Sequence, residues 1–354
     1  MNRLILSISL LVFIAGCKPD PVGPDGQPRN TDWLIPESQV LDGGPGKDGI
    51  PSIDQPQFVS VGEANEFLQD DDLIVGVKVG SVIRAYPHII LDWHEIVNDE
   101  LGNMALAINY CPLTGTAMAW DRTFEGEVSE FGVSGLLYNT NLMPYDRSTE
   151  SYWSQMVMGA VHGDRSGEEA TVYPVVETTW KTWKEMYPAT EVLGLETGFR
   201  RNYGIYPYGG YRENQDQLFF PVNHENPILP QKERVLAVRV RNAVRAFRFN
   251  DFEGEVKHFE YKINDTELVV VGQAEDNFLV AYGREASDGT LLDMSPVQDA
   301  YPIVLTDQEG NRWDVFGVAV SGPRSGEQLP ILRSLIGYWF TFPAFFTGTE
   351  VVER

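Results

Sequence analysis

Apolar and polar residues alternate along Leu73 to Val79, Val82 to Tyr86, Met104 to Tyr110, Thr116 to Asp121 and Ser129 to Val133, with Gly or Asn-Asp between the runs. A period of two over a few residues, punctuated in this way, predicts short strands of half-buried sheets. A helical period appears at Trp180, Trp183 and Met186, after Thr178-Thr179 and before Pro188. A hydroxyl able to cap the first turn and a proline that cannot continue the last one bound a short helix there. Ile89-Ile90-Leu91 is a continuous apolar run and reads as a strand, so His94 and Glu95 are expected to leave that strand at its end.

The pattern is written twice. Asp72 to Val79 followed by Val82-Ile83-Arg84-Ala85-Tyr86 returns as Arg234 to Val240 followed by Ala243-Val244-Arg245-Ala246-Phe247. Leu106 to Arg122 aligns without gaps on Leu268 to Arg284, and Arg165-Ser166-Gly167-Glu168 on Arg324-Ser325-Gly326-Glu327. Trp183 to Pro188, ending in Glu191-Val192, is echoed by Trp339 to Pro343, ending in Glu350-Val351. Internal similarity in one order reads as a tandem duplication. The expected fold is mainly β, α+β by count, with two tandem copies of a small β-barrel or sandwich unit, each carrying a short packed helix. The first repeat spans 58–196 and the second, degenerate one 232–354, with a Tyr/Gly/Asn-rich linker at 197–231.

A length of 354 residues leaves room for two ordinary domains, and 43% hydrophobic residues suffice for a packed core. The balance of 27 Lys+Arg against 51 Asp+Glu, a net charge of -24, repels a phosphate backbone and excludes nucleic acid as an expected partner. Residues 1–16 combine Arg3 with an apolar run from Leu4 to Ala15, too short to span a bilayer, and read as a signal peptide. Ile14-Ala15-Gly16-Cys17 resembles the bacterial lipobox. That resemblance implies lipidation of Cys17, a membrane partner through the anchor, and a place in the cell envelope facing the periplasm or exterior. Residues 17–57 are then a lipid-anchored tether, rich in Pro, Gly and Asp, and an N-terminal arm across the body.

With Cys17 acylated, Cys111 is the other of the chain's two cysteines and has no disulfide partner. The two copies act as an internal control. Arg84, Trp153, Gly163, Arg165 and Glu168 occur in both and read as architectural. Cys111 faces Gln273, His162 faces Ser321, and Phe131 to Asn139 has no sequence counterpart. The candidate site is therefore in the first copy, from His88, His94, Glu95 and Cys111-Pro112-Leu113-Thr114-Gly115-Thr116. Cys111 is expected to end a strand and expose its side chain at the rim of a sheet. As a nucleophile it needs a nearby imidazole, with His94 as base and Glu95 beside it. As a metal ligand, Cys111 with His94 and His88 is a soft donor set suited to copper or zinc. His224 and His258 read as structural.

Arg84-Ala85-Tyr86-Pro87, His94 to Asp99, Tyr110 to Thr116, Phe131 to Leu137 and Tyr145-Asp146-Arg147 together resemble the uncharacterised prokaryotic domain-of-unknown-function family 3179. The resemblance runs from about Gly49 to the C-terminus and implies an extracytoplasmic, often lipid-anchored protein, with no activity to carry over. The family pattern around the cysteine is Cys-Pro-x-Cys-Gly-Thr. Thr114 stands where the second Cys would be, which removes a resolving thiol and with it two-cysteine exchange. Three readings stay open: a copper-type metal site on Cys111, an enzyme with a cysteine nucleophile, and a non-catalytic envelope module binding a polymer or protein partner through Tyr and Trp.

Overall fold

The computed structural model describes residues 32–353, so the signal segment, Cys17 and most of the tether lie outside the described residues. Strands dominate, as the alternation predicts. Sheet A runs in the order Val176–Thr179, Leu73–Val79, Val82–Pro87, Glu191–Leu193, Phe58–Val59. Sheet B consists of Ile96–Leu101, Met104–Cys111, Thr116–Asp121 and Val172–Tyr173. Sheet C consists of Val40–Asp42, Phe131–Tyr138, Asn141–Asp146, Tyr152–Ser154 and Gly159–His162.

In the C-terminal half, sheet A′ has the order Arg333–Tyr338, Arg234–Val240, Ala243–Arg248, Thr349–Val351. Sheet B′ is Lys257–Ile263, Thr266–Gln273, Phe278–Gly283, and C′ is Met294–Pro296, Ile303–Asp307, Arg312–Asp314, Ala319–Ser321. Matching sequence positions occupy matching registers. Gly76 pairs with Ala85 as Ala237 pairs with Ala246, and each A sheet gains a parallel strand in which Glu191 meets Arg84 or Glu350 meets Arg245. Arg84 bonds Glu191 at 2.9 Å and Arg245 bonds Glu350 at 3.1 Å. Trp153 donates its indole N–H to Asp146 at 3.0 Å, and Trp313 does the same to Asp307 at 2.9 Å.

Alternation decides how the sheets stack, because successive side chains in a strand point to opposite faces. Val75, Val77 and Tyr86 of sheet A pack with Val97, Leu106 and Ile108 of sheet B. Ile74 and Ala85, on the other face of A, share a core with Val269, Val271 and Phe278 of B′ and Trp313 of C′. The reverse holds for A′: Leu236 and Val238 face B′, while Val235 and Ala237 share a core with Ala107 and Met118 of B and Trp153 of C. The sheets are open layers rather than a closed barrel, and two of the cores draw on both halves of the chain.

The helix Trp180–Met186 starts where the sequence predicts, with Thr179 as N-cap accepting from the backbone N–H of Thr182 at 3.2 Å. It lays Trp183 on the cross-half core, against the bare backbone of Gly76. Ile89-Ile90-Leu91, in contrast, is not a strand. It lies in the helix His88–His94, which follows Pro87. A short apolar run suits a buried helix as well as a buried strand, and here Ile90 and Leu91 are fully buried in the A/B core. Among the described residues no helix is long and apolar enough to cross a membrane.

Candidate functional site

In the helix His88–His94 and its C-cap Glu95, the spacing of His88, Asp92 and Glu95 puts three ionisable side chains on one stripe, with His94 the remaining polar residue of the helix. Glu95 caps the helix with a positive φ of 58°, a left-handed conformation that costs energy outside glycine and is held here by two backbone bonds. Its N–H donates to the Leu91 carbonyl at 2.8 Å, and its carbonyl accepts from the Tyr110 N–H at 2.7 Å. The Glu95 side chain is thereby pinned inward and buried.

Cys111 is the last residue of Met104–Cys111 and enters the turn at Pro112, as expected. Its side chain is not exposed at the rim, however; it is 1% accessible, packed with Leu113, Met118 and Leu142. The reason is the long segment 194–233, which folds over this edge of sheet B. Burial, with Glu95 nearby, pushes the Cys111 thiol up to about 11, so it is neutral at pH 7. The turn itself needs Gly115, at φ 62° and with the Tyr338 ring where a Cβ would project.

The segment expected to be a linker supplies the partners of the helix end. Tyr203 Oη lies 2.7 Å from His94 Nε2, Tyr208 donates to Glu95 Oε1 at 3.1 Å, and Arg212 donates to Asp92 Oδ2 at 2.8 Å. Tyr211 bonds the Leu113 carbonyl at 2.9 Å, and the Lys232 ammonium gathers the carbonyls of Tyr211, Asn214 and Gln217, which fixes the fold of the segment. The Arg212 guanidinium lies 3.6 Å from the centre of the Tyr206 ring. Charge-assisted bonds and ring stacking of this kind hold a loop far more firmly than exposed ion pairs do.

Beneath this loop is a cavity of about 330 Å³. Leu113 of the turn, Val133, Leu136, Leu137 and Leu142 of sheet C, and Phe220 of the loop make it apolar, with Ile50, Pro45, Gly43 and Gly49 of the N-terminal arm as a further wall. The arm reaches that place by pairing Leu41 with Leu137 and passing over Gly135, where a Cβ would lie 2.7 Å from the backbone of Gly46. Asp92 and Glu95, both buried, are its inner polar groups, with Tyr208 bonded to Glu95, and the exposed Arg201 stands at its mouth. Burial, reinforced by Asp92, raises Glu95 to about 7 against the hydrogen bond from Tyr208. Asp92 is also raised by burial, with Arg212 opposing.

The two candidate imidazoles are held by other partners. His94 Nδ1 lies 2.8 Å from the Pro51 carbonyl and its Nε2 faces Tyr203, so both ring nitrogens are engaged. His88 Nε2 is 3.3 Å from Glu177, a carboxylate that also pairs with Arg234 between the two halves. Burial holds His94 down to about 4 and His88 down to about 3, which keeps both neutral at pH 7. His162 is elsewhere, stacked on Trp33 with ring centres 4.4 Å apart. Among the described residues no group of three or more His, Cys, Asp or Glu side chains is placed to hold a metal ion. Cys111 is brought together with Glu95 and the loop tyrosines.

A family model described as "Protein of unknown function (DUF3179)" matches residues 47–349. The chain belongs to the DUF3179 family. No curated protein and no solved structure matches it. In this DUF3179 protein the matched stretch contains both halves, the capping loop and the inner end of the cavity. Sequence reasoning placed Glu95 and Cys111 in the site and missed Asp92, Tyr203, Tyr208 and Arg212. Two signals were available: the stripe formed by His88, Asp92 and Glu95 once the run is read as a helix, and the run of tyrosines at Tyr203, Tyr206, Tyr208 and Tyr211 in the supposed linker.

Proposed function

We propose that the protein is a lipid-anchored binding protein of the cell envelope, tethered through Cys17, whose loop-capped cavity takes a small ligand with an apolar body and one polar head. The cavity carries this reading. Its size falls in the range of small-molecule sites, its walls are largely aliphatic, and it has few polar groups, of which Asp92 and Glu95 are buried neighbours with Tyr208 bonded to Glu95, which is the usual composition of such pockets. Glu95 is the head-group contact: a buried carboxyl that changes protonation near neutrality donates or accepts a hydrogen bond as the ligand requires. Binding rather than nucleophilic chemistry is favoured because the Cys111 thiol is neutral and neither imidazole nitrogen of His94 is free to act as its base.

The test uses N-phenyl-1-naphthylamine, an uncharged apolar fluorophore small enough for the cavity. Saturable binding at one site per chain, abolished by the cavity-filling substitution Leu137→Trp, is expected. Absence of saturable binding, or binding indifferent to Leu137→Trp in a folded variant, overturns the reading. Lipidation is tested by mass spectrometry of the mature N-terminus, which is expected at Cys17 with its acyl groups.

A further inference from the structure

We infer that the ligand of this cavity is an amphipathic amine, its ammonium head seated against the carboxyls of Asp92 and Glu95 and its aliphatic body along Leu113, Val133 and Leu137. This rests on the binding reading above and names the ligand class. The first observation is a shortage of hydrogen-bond donors at the inner end. Asp92 lines the cavity and is buried, yet its Oδ1 has no hydrogen-bond partner; its Oδ2 receives Arg212. The Glu95 side chain receives one donor, Tyr208. A buried acceptor without a partner carries a desolvation cost that a ligand N–H removes.

The second observation is charge. Arg212 is committed to Asp92 and stacked on Tyr206, so it does not neutralise Glu95 as well. Arg201, the cationic residue that lines the cavity, is exposed, its guanidinium 5.9 Å from the centre of the Trp93 ring. With Glu95 ionised, two inner carboxylates face one guanidinium, and an ammonium head brings the set to neutrality. An anionic head adds a third negative charge, and an uncharged one leaves the imbalance, which is the cost that buried unpaired charge incurs.

The groups facing Glu95 are Tyr208 from the loop, Cys111 from sheet B and Asp92 from its own helix; those facing Asp92 are Arg212 and Tyr206 from the loop, His88 from its own helix, Tyr110 from sheet B and Tyr338 from sheet A′. The neighbours of Glu95 therefore supply no competing cation. Below pH 7 Glu95 binds its proton, and an arriving ammonium displaces it, so affinity for an amine rises with pH until Glu95 is fully ionised.

Calorimetric titration of the full chain with n-octylamine, n-octanol and octanoate decides the matter. At pH 8 the amine is expected to bind at least about tenfold tighter than the alcohol or the acid, and its affinity to rise up to about tenfold between pH 6 and pH 8. At pH 6, titration in buffers of different ionisation enthalpy is expected to show release of most of one proton per amine bound. Glu95→Gln is expected to lose the pH dependence and the amine preference while still binding octanol. Equal or tighter binding of octanol or octanoate, or amine binding without proton release, overturns the amine assignment and leaves the cavity reading standing. Failure of all three probes overturns both. The wild-type titrations stand without the variant, so the outcome does not depend on its folding.

Discussion

Tyr208 reaches Glu95 across 113 residues of sequence to donate its phenolic hydrogen to Oε1 at 3.1 Å. That bond joins the capping loop to the end of the helix His88–His94, and it opposes the burial that raises Glu95 to about 7. Tyr208→Phe is therefore expected to move the Glu95 titration further up, with a loss of about 1 kcal/mol of stability from the missing bond. Carboxyl infrared bands followed against pH, wild type against variant, check the direction; an unchanged or lowered midpoint contradicts it.

The raised Glu95 also shapes stability. The folded chain holds its proton between about pH 4.5 and 7 while the unfolded chain releases it, so stability falls as pH rises through that window and levels off above it. Glu95→Gln removes this fall. Urea unfolding at pH 5 and pH 8 is expected to show the variant gaining on wild type by roughly 3 kcal/mol over that interval, the size that a shift of this extent in a buried group implies.

Asp92 and Arg212 form a pair in which Asp92 is almost fully buried. Arg212→Ala leaves that carboxylate without its counter-charge and is expected to cost about 3–5 kcal/mol. Adding Asp92→Asn is expected to restore a large part, since the amide needs no counter-ion. Equal destabilisation by the single and the double variant in chemical denaturation contradicts the pairing.

Gly76 lies under Trp183, and a Cβ there would sit 2.2 Å from its ring. Gly76→Ala forces the indole off the cross-half core and is expected to cost about 3 kcal/mol. Adding Trp183→Leu should lower the incremental cost of Gly76→Ala. A thermal melt in which Gly76→Ala matches wild type rules out this packing.

Cys111 is both buried and raised to about 11. Iodoacetamide at pH 7 is expected to label it far more slowly than free cysteine, with labelling rising when the loop is loosened by Arg212→Ala. Labelling at the rate of free cysteine contradicts its burial.

Much of the fold is legible because strand alternation is a local signal. Leu73–Val79, Met104–Cys111 and Thr116–Asp121 stand within one residue of where their patterns end, and Thr179 caps its helix through a hydroxyl that the sequence displays. Ile89–Leu91 was misread because three apolar residues carry no period of their own; Pro87 before them and the polar stripe of His88, Asp92 and Glu95 hold the missing information. The site was only half legible for a different reason. Cys111 stood out as a residue of one half alone and Glu95 by its place beside His94, but their partners Tyr208 and Tyr211 come from a segment with no period at all, and only tertiary folding brings it over the helix end. The same folding explains why Cys111 is buried rather than at an open rim.

The most direct test of a ligand cavity built around Glu95 is to watch that carboxyl. In protein labelled with ¹³C at the glutamate side-chain carboxyl, the resonance lost in Glu95→Gln is expected to titrate with a midpoint of about 7 and to shift on saturation with N-phenyl-1-naphthylamine. A midpoint near the ordinary glutamate value of about 4.3, with no response to the probe, would contradict the account.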